Sequence, residues 1–354
     1  MRTLSSASVA VLLVVALAGC DQQPTPPDAS RSHAPHARSP VVHPDIPVVN
    51  VTATSAHADG DAEHRFRMDR TELSAGWTTF RFSNQADVTH FMVLQKLPEA
   101  AGQVTREEYI DQVSETAQEF LDRLFAGDPD AGQTLAELPS WISDVKTMGG
   151  PGLTAGGHTS VTTLDLEPGR YVAECYVRAE ETNVQHSANG MVEVFTVTDE
   201  SSGAPEPAAD IEVAISQGEG ITIRSHHQTH SARSDRHRGI RSRKHTIAVH
   251  FDEQTSAYPG LSGHDVHFVD LDPGADLDAL DAWMFWLTPD GLRAPAPAGA
   301  SFIGGTQQMP QGETAYVTTT LPAGEYALVA EVPGPLSRDM LKTIRIPTAR
   351  ADAP

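Results

Sequence analysis

The chain has 354 residues, with 25 lysines and arginines against 47 aspartates and glutamates, so its formal net charge is −22. This balance argues against nucleic acid as a partner, because binding to a phosphate backbone requires a basic surface. The length suffices for two domains, and 25 prolines with 27 glycines favour many turns over long helices. No phosphate loop, dinucleotide fingerprint or Ser-His-Asp motif is evident in the sequence, and we expect no enzymatic activity.

The first twenty residues have the layout of an export signal. Arg2 precedes the apolar run "VAVLLVVAL", which is too short to span a bilayer. The following "LAGC" (17–20) resembles the lipobox of bacterial lipoproteins, in which the cysteine is lipidated and becomes the new N-terminus. The resemblance implies a signal peptide over 1–20 with lipid on Cys20. An ordinary signal that happens to be cleaved near a cysteine is the alternative.

Residues 21–45 are rich in proline, histidine and polar residues, a composition typical of an extended tether. Such a segment holds a folded part away from a membrane surface. The sequence therefore predicts an exported lipoprotein on the periplasmic or cell-surface face of a bacterial membrane, attached to that membrane through its N-terminal lipid.

A first domain is predicted over 46–198. Its apolar residues alternate in the manner of strands, as in "TTFRFSN" (78–84), "VTTLDL" and "MVEVFTV", and turn residues separate these runs. One segment departs from this pattern. From Thr105, apolar residues recur at helical spacing, and Thr105 with Glu108 forms a candidate capping box. This helix, with a shorter one over 135–148, predicts a helical insertion between strands of a β-sandwich.

A second domain is predicted over 211–348, after a linker over 199–210 that is rich in Pro, Gly, Ser and Ala. Residues 149–177 align without a gap over 304–332, with nine of 29 positions identical, among them two adjacent glycines. Two copies of one fold explain these matches, which fall on turn glycines and strand positions in the same order.

One cysteine, Cys175 in "YVAECYV", lies beyond the first twenty residues, so it has no disulfide partner if Cys20 carries lipid. Such a thiol is either a small buried hydrophobe or a metal thiolate. His186 and Met191 follow it in "HSANGMVEV", and His90 precedes it in "THFM". Thiolate and thioether ligands suit Cu(I), while imidazole also suits Cu(II).

These residues, in this order, resemble the copper ligands of the cupredoxins, and the resemblance covers about 150 residues of the first half. In that family two histidines and the cysteine form a trigonal plane around copper, and methionine is a weak axial ligand. The resemblance implies one copper in the first domain, held by His90, Cys175, His186 and Met191. It also implies the fold class: all-β, with two cupredoxin-like Greek-key β-sandwiches in tandem, the first carrying the helical insertion.

The segment between the cysteine and the second histidine departs from the family pattern. Ten residues, "YVRAEETNVQ", stand where the family usually has only a few, and Glu174, Glu180 or Glu181 are candidate competing oxygen ligands. The alternative interpretation makes Cys175 and Met191 core residues and both histidines incidental. A single cysteine, without a set of His-x-His pairs, argues against binuclear and trinuclear copper centres.

The second domain has Ala330 in the position of Cys175, so it is predicted to be a degenerate copy without a thiolate. Its segment 226–250 is histidine-rich, with His226, His227, His230, His237 and His245. This segment either captures metal loosely or is a solvated loop, and charge pairing with the acidic remainder favours the loop. His264 and His267 are a further candidate pair, and "WMFW" (283–286) is predicted to pack in the core or between domains.

For function, the resemblance implies electron transfer through the copper site, with a redox protein as partner. A copper chaperone or storage protein, with a copper-exchange partner, is the first alternative. A metal-free binding or scaffold module is the second, since one fold serves many functions.

Overall fold

A computed structural model of the chain describes residues 45–58, 61–225, 240–254 and 264–348. The predicted signal peptide with Cys20, nearly all of the tether and residues 226–239 of the histidine-rich segment lie outside the described residues. Within the described ranges, no helix is long and apolar enough to cross a membrane.

The all-β prediction is confirmed, with strands running through both halves of the described chain. Strands of the first half are β1 Val48–Ala58, β2 Asp61–Met68, β3 Glu72–Asn84, β4 Val93–Lys96, β5 Lys146–Thr147, β6 Thr159–Leu166, β7 Gly169–Glu174 and β8 Val192–Ser201. Strands of the second half are β9 Ile211–Ser216, β10 Gly220–Ser225, β11 Arg243–Phe251, β12 Val266–Leu271, β13 Ala300–Thr306, β14 Thr314–Leu321, β15 Gly324–Val329 and β16 Leu341–Ile346.

The first sandwich is closed by β3, which is long enough to belong to both of its layers. The beginning of β3 pairs with β8, and β7, β4 and β5 follow β8 in that order across the sheet. The remainder pairs with β6 and β1. The change of partner falls beside Gly76, whose φ of +99° favours glycine.

The two sandwiches are joined through their corresponding strands. Strand β6 pairs with β14, so a single sheet runs from the first half into β11, β9 and β10 of the second. The remaining strands, β13, β12, β15 and β16, form a separate four-stranded sheet. Strand β6 is therefore buried on both faces, and only Asp165 is exposed between Ser160 and Leu166.

Gly150 and Gly305, one of the aligned glycine pairs, occupy matching positions where no side chain fits. A Cβ on Gly150 would stand 1.9 Å from the Met92 carbonyl oxygen, and a Cβ on Gly305 would stand 2.2 Å from that of Val266. Both glycines also have φ values above +120°. The two segments pair with each other, through hydrogen bonds from Gly152 N to Gly305 O and from Gln307 N to Gly150 O. Sterics therefore account for glycine at this aligned pair.

The predicted helical insertion lies between β4 and β5. It consists of α1 (Arg106–Tyr109), a π-helical turn over Ile110–Ser114 and α2 (Glu115–Phe125). The capping box is present, since the Thr105 hydroxyl accepts from Glu108 N and the Glu108 carboxylate accepts from Thr105 N. Residues 135–148 were predicted to be a helix and instead contain two 3-10 segments, ending at Glu137 and Asp144, before β5. Pro139, which follows the first of these, interrupts helical hydrogen bonding.

Replacing Thr105 by alanine is expected to lower the free energy of unfolding by about 1 kcal/mol, because one N-terminal N–H of the helix loses its acceptor. Chemical denaturation followed by circular dichroism measures this change. Thr116→Ala, at a half-buried position of α2, is the control, and an equal loss in both variants would contradict a capping role.

In the second half, α3 (Leu277–Trp283) ends at the first residue of the aromatic cluster, in which Trp283 and Met284 are buried and Phe285 and Trp286 are half-buried. The Trp283 indole N–H donates to Arg293 O, and its ring lies 5.3 Å from that of Phe302. Trp286 reaches Tyr176 of the first half at 6.2 Å between ring centroids. These contacts connect the second half to the segment that follows Cys175.

Candidate metal centre

The backbone around His90 is held by a short bridge rather than by a regular strand. His90 N donates to Thr154 O at 3.1 Å, and Thr154 N donates back to His90 O at 2.7 Å. The segment "THFM" therefore precedes β4, which begins only at Val93. This bridge places the His90 side chain, which has no solvent exposure, inside the first sandwich.

Cys175 is the first residue after β7, and its backbone is tied to the segment that carries the other two predicted ligands. Cys175 N donates to Met191 O at 3.2 Å, and Met191 N donates to His186 O at 2.7 Å. Both the Cys175 and Met191 side chains are fully buried in the same core cluster. Three predicted ligands are thus held by two consecutive backbone hydrogen bonds.

The long segment between Cys175 and His186 folds back on itself as a hairpin. His186 N donates to Val177 O, and Ala179 N donates to Val184 O, both at 2.9 Å. The reversal occurs near Asn183, which has a positive φ of 61°. Because the hairpin begins and ends at the same place, its extra length does not carry His186 away from Cys175.

The structure brings the side chains of the two candidate histidines and of Cys175 together. The Cys175 Sγ lies 3.7 Å from His90 Nδ1 and 3.9 Å from His186 Nδ1, and the two Nδ1 atoms are 3.1 Å apart. None of the three side chains has any solvent exposure. The arrangement offers two imidazole nitrogens and a sulfur at separations that a single metal ion can bridge, given metal–ligand bonds of about 2.0–2.3 Å.

The electrostatics of the cluster favour the metal-binding forms of the imidazoles. Burial, and next to it the neighbouring imidazoles, hold the pKa values of His90 and His186 well below the usual range for histidine. Both rings are therefore neutral at pH 7, with a lone pair on one nitrogen. Burial raises the pKa of Cys175 to about 12, so the thiol carries its proton when no metal is bound.

Copper uptake at pH 7 is therefore expected to release one proton per ion, and that proton comes from Cys175. Protons and metal compete for the sulfur, so the apparent affinity rises with pH, by about tenfold per unit below the pKa of the thiol. Titration in weakly buffered solution with a pH indicator measures the release. Cys175→Ser is the control and releases none, whereas equal release in both proteins would contradict this assignment.

The donors fit copper. A buried set of two imidazoles and a thiolate, with a thioether in the adjoining segment, combines soft sulfur with nitrogen and suits both copper oxidation states. Among the described residues, His90 Nε2 and His186 Nε2 are buried without a hydrogen-bond partner. The Nδ1 atoms, by contrast, face one another and the sulfur, which makes them the atoms that offer lone pairs to a metal.

The carboxylates that the sequence left as competing ligands are occupied or exposed. Glu174 accepts hydrogen bonds from Gln95 and Tyr109, at 2.8 and 3.2 Å, and burial raises its pKa to about 7. The side chains of Glu180 and Glu181 are exposed. The nitrogen and sulfur donors therefore stand together without a carboxylate from this segment.

A third histidine, His64, belongs to the same cluster, and the sequence analysis missed it. It comes from β2 and is 4% exposed, with its ring centroid 3.9 Å from that of His186 and 4.9 Å from that of His90. The local signal was weak but present. His64 and Phe66 are buried while Arg65 and Arg67, which alternate with them, are exposed, so the alternation places His64 on the inward face of its strand.

The second half repeats the framework of the site without its sulfur and with altered chemistry. Ala330 N donates to Met340 O at 3.0 Å and Met340 N donates to Pro335 O at 2.9 Å, which reproduces the bonds that join Cys175, Met191 and His186. Ala330 itself is fully buried. The second half thus has the backbone arrangement of the segment that carries Cys175, His186 and Met191, but it has no thiolate and no second imidazole there.

His267, the counterpart of His90, lies with Asp265 and Glu331 in a second buried group of potential ligands. Its Nε2 is 3.1 Å from Glu331 Oε1 and 3.5 Å from Asp265 Oδ2. Its Nδ1 accepts a hydrogen bond from Leu153 N at 3.0 Å, so the proton of the neutral ring is on Nε2 and faces the carboxylates. A metal on Nε2 would require an imidazolate, so this group fits a shared proton better than a metal.

The other candidate histidines of the second half have structural partners. His245 Nδ1 lies 2.8 Å from Asp210 Oδ2 and its Nε2 lies 2.7 Å from Arg241 O. His264 Nε2 lies 2.7 Å from Gln217 Oε1. His264 and His267 do not appear together in a metal-binding group of the described residues. The remaining histidines of the tract, at 226, 227, 230 and 237, lie outside the described residues.

No protein-family model and no curated protein matches this chain. Among solved structures, the chain is similar to auracyanin A, a blue copper protein from Chloroflexus aurantiacus (24% identity, 43% of this chain, 99% of that one, TM-score 0.23). It is also similar to a multicopper oxidase (13%, 87% and 92%, TM-score 0.23) and to the blue copper oxidase of Nitrosomonas europaea (12%, 84% and 85%, TM-score 0.22). The absence of enzymatic activity stays a prediction.

Proposed function

We propose that this protein binds one copper ion in its first half and carries electrons through that mononuclear site. The observation that supports the proposal best is the convergence of His90 Nδ1, His186 Nδ1 and Cys175 Sγ within 3.9 Å of one another. Met191, whose backbone is bonded to that of Cys175, is proposed as the weak axial ligand. When bound, copper supplies a one-electron couple between Cu(I) and Cu(II).

The surroundings of the site favour electron transfer over copper exchange. All four proposed ligands are fully buried, so a competing chelator has no direct access to them. The helical insertion packs against the end of the segment that carries His186 and Met191, since Arg106 donates to the carbonyl oxygens of Val192 and Gly190. Donors fixed in this way change little between oxidation states, which keeps electron exchange fast, whereas a chaperone must release its metal.

The membrane attachment and location predicted from the N-terminus belong to the same proposal. Lipid on Cys20 would hold the protein on the periplasmic or cell-surface face of a bacterial membrane, where it would exchange electrons with a redox protein. The tether over 21–45 would give the copper domain reach from that surface.

The test is redox cycling of the full chain. Purified metal-free protein is loaded with one equivalent of Cu(II), desalted, and then reduced and reoxidised while the visible spectrum and the bound copper are measured. A carrier is expected to lose and regain an intense thiolate-to-copper(II) band with its copper retained. Loss of Cu(I) to a chelator within the cycle would favour the chaperone or storage alternative. Absence of any thiolate band would favour the metal-free scaffold.

A further inference from the structure

Three buried imidazoles, rather than two, meet beside Cys175. His64, His90 and His186 each place a ring nitrogen within 4.8 Å of a nitrogen of the other two. His64 reaches this position from the β1–β2 hairpin, which precedes every segment that carries the predicted ligands. The third ring is therefore an addition to the His-Cys-His-Met set.

The chemistry of the cluster suits a shared cation. Three imidazoles with little or no exposure lie with ring centroids between 3.9 and 4.9 Å apart. Lone pairs of neutral rings repel when they point at one another. A metal ion that accepts all three lone pairs removes this repulsion, and imidazole is a good ligand for copper.

The hydroxyl of Ser55 orients the third ring. Its Oγ lies 2.9 Å from His64 Nδ1, on the neighbouring strand of the hairpin. When Nδ1 donates its proton to this oxygen, the lone pair of the neutral ring is on Nε2. Metal-ligating histidines typically have one ring nitrogen hydrogen-bonded in this way while the other binds the metal.

We infer that His64 is a further copper ligand, so that the site contains three imidazoles, one thiolate and one thioether. This inference rests on the proposed function. A third nitrogen donor stabilises Cu(II) more than Cu(I), because the thiolate and thioether are the ligands that suit Cu(I). The site is therefore expected to have a lower reduction potential than one that lacks His64.

The experiment compares copper-loaded wild type with His64→Phe and His64→Gln in the full chain. X-ray absorption and pulsed electron paramagnetic resonance count the imidazoles on copper, and a redox titration gives the potential. We expect three imidazoles in the wild type and two in each variant, with a raised potential and copper affinity weakened by at least about tenfold. Ser55→Ala is expected to shift the potential and the copper affinity in the same directions by smaller amounts.

His158→Gln is the matched control, because His158 is a partly exposed histidine of the first sandwich outside the cluster. It should leave the imidazole count and the potential unchanged. Thermal melts of the metal-free proteins confirm that each variant is folded, and two different replacements at position 64 guard against misfolding of one. An unchanged imidazole count and potential in both His64 variants would overturn the inference while the wild-type thiolate band upholds the copper site. A wild type without that band would overturn both.

Discussion

Copper-loaded Cys175→Ser is expected to lack essentially all of the intense visible absorption of the wild type. That absorption requires a thiolate bound to Cu(II). Cys175 is the one cysteine among the described residues, and its sulfur lies 3.7 Å from His90 Nδ1. A serine oxygen is a harder ligand that gives no comparable band. Replacement of the soft sulfur by this oxygen also disfavours Cu(I). Visible spectra at one equivalent of Cu(II) measure the change.

The sequence supplies a matched control for this substitution. Cys20 is the only other cysteine of the chain, and Cys20→Ser should keep the full band because it removes only the predicted lipid attachment. If Cys175→Ser kept the band, or if Cys20→Ser lost it, the assignment of the thiolate would be wrong. Circular dichroism of both metal-free variants separates loss of the ligand from loss of the fold.

Arg178→Ala is expected to lower the free energy of unfolding by about 3 kcal/mol. Arg178 is 1% exposed and donates to the carbonyl oxygens of Thr288 and Gly291 in the second half and to Asn183 Oδ1 at 2.9 Å. Its guanidinium also lies 4.6 Å from the centre of the Phe125 ring. Alanine leaves those buried carbonyl groups without their donor and opens a cavity in the hairpin between Cys175 and His186.

Chemical denaturation measures this loss, and Arg345→Ala serves as its control. Arg345 is 81% exposed and has only a long ion pair with Glu325, so its removal should change the stability by less than about 0.5 kcal/mol. An Arg178→Ala protein within 1 kcal/mol of the wild type, a threshold about one third of the expected loss, would contradict the view that this side chain ties the hairpin to the second half.

Most of the candidate site could be predicted because its residues are brought together by local structure. Cys175, His186 and Met191 lie on one loop, and two backbone hydrogen bonds suffice to hold them together. The capping box at Thr105 and the paired glycines likewise depend on neighbouring residues or on steric exclusion of a Cβ. Such features leave their signature in residue types at short spacing.

What the sequence did not predict depends on pairing between distant segments. His64 joins the cluster only because the β1–β2 hairpin packs beside β3, and no spacing rule connects it with His186. The segment between Cys175 and His186 is longer than the family pattern implies, and hydrogen bonds across a hairpin bring its two ends together. The continuous sheet through β6 and β14 is a third such feature, since strand order is not encoded in alternation.

The domain boundaries stay predictions. Strand β8 continues to Ser201, so the predicted linker over 199–210 begins inside a strand. The two halves also share one sheet, which limits how far they can move relative to each other. Lipidation of Cys20 and the location on a bacterial membrane rest on the N-terminal sequence alone.

The most direct measurement of the central claim is anomalous X-ray diffraction at the copper edge from crystals of the copper-loaded protein. One strong peak per chain is expected, within about 2.0–2.3 Å of His90 Nδ1, His186 Nδ1 and Cys175 Sγ, the range of metal bonds to nitrogen and sulfur. A fully occupied peak at the histidine-rich tract or beside Asp265 and Glu331, with none at Cys175, would contradict it.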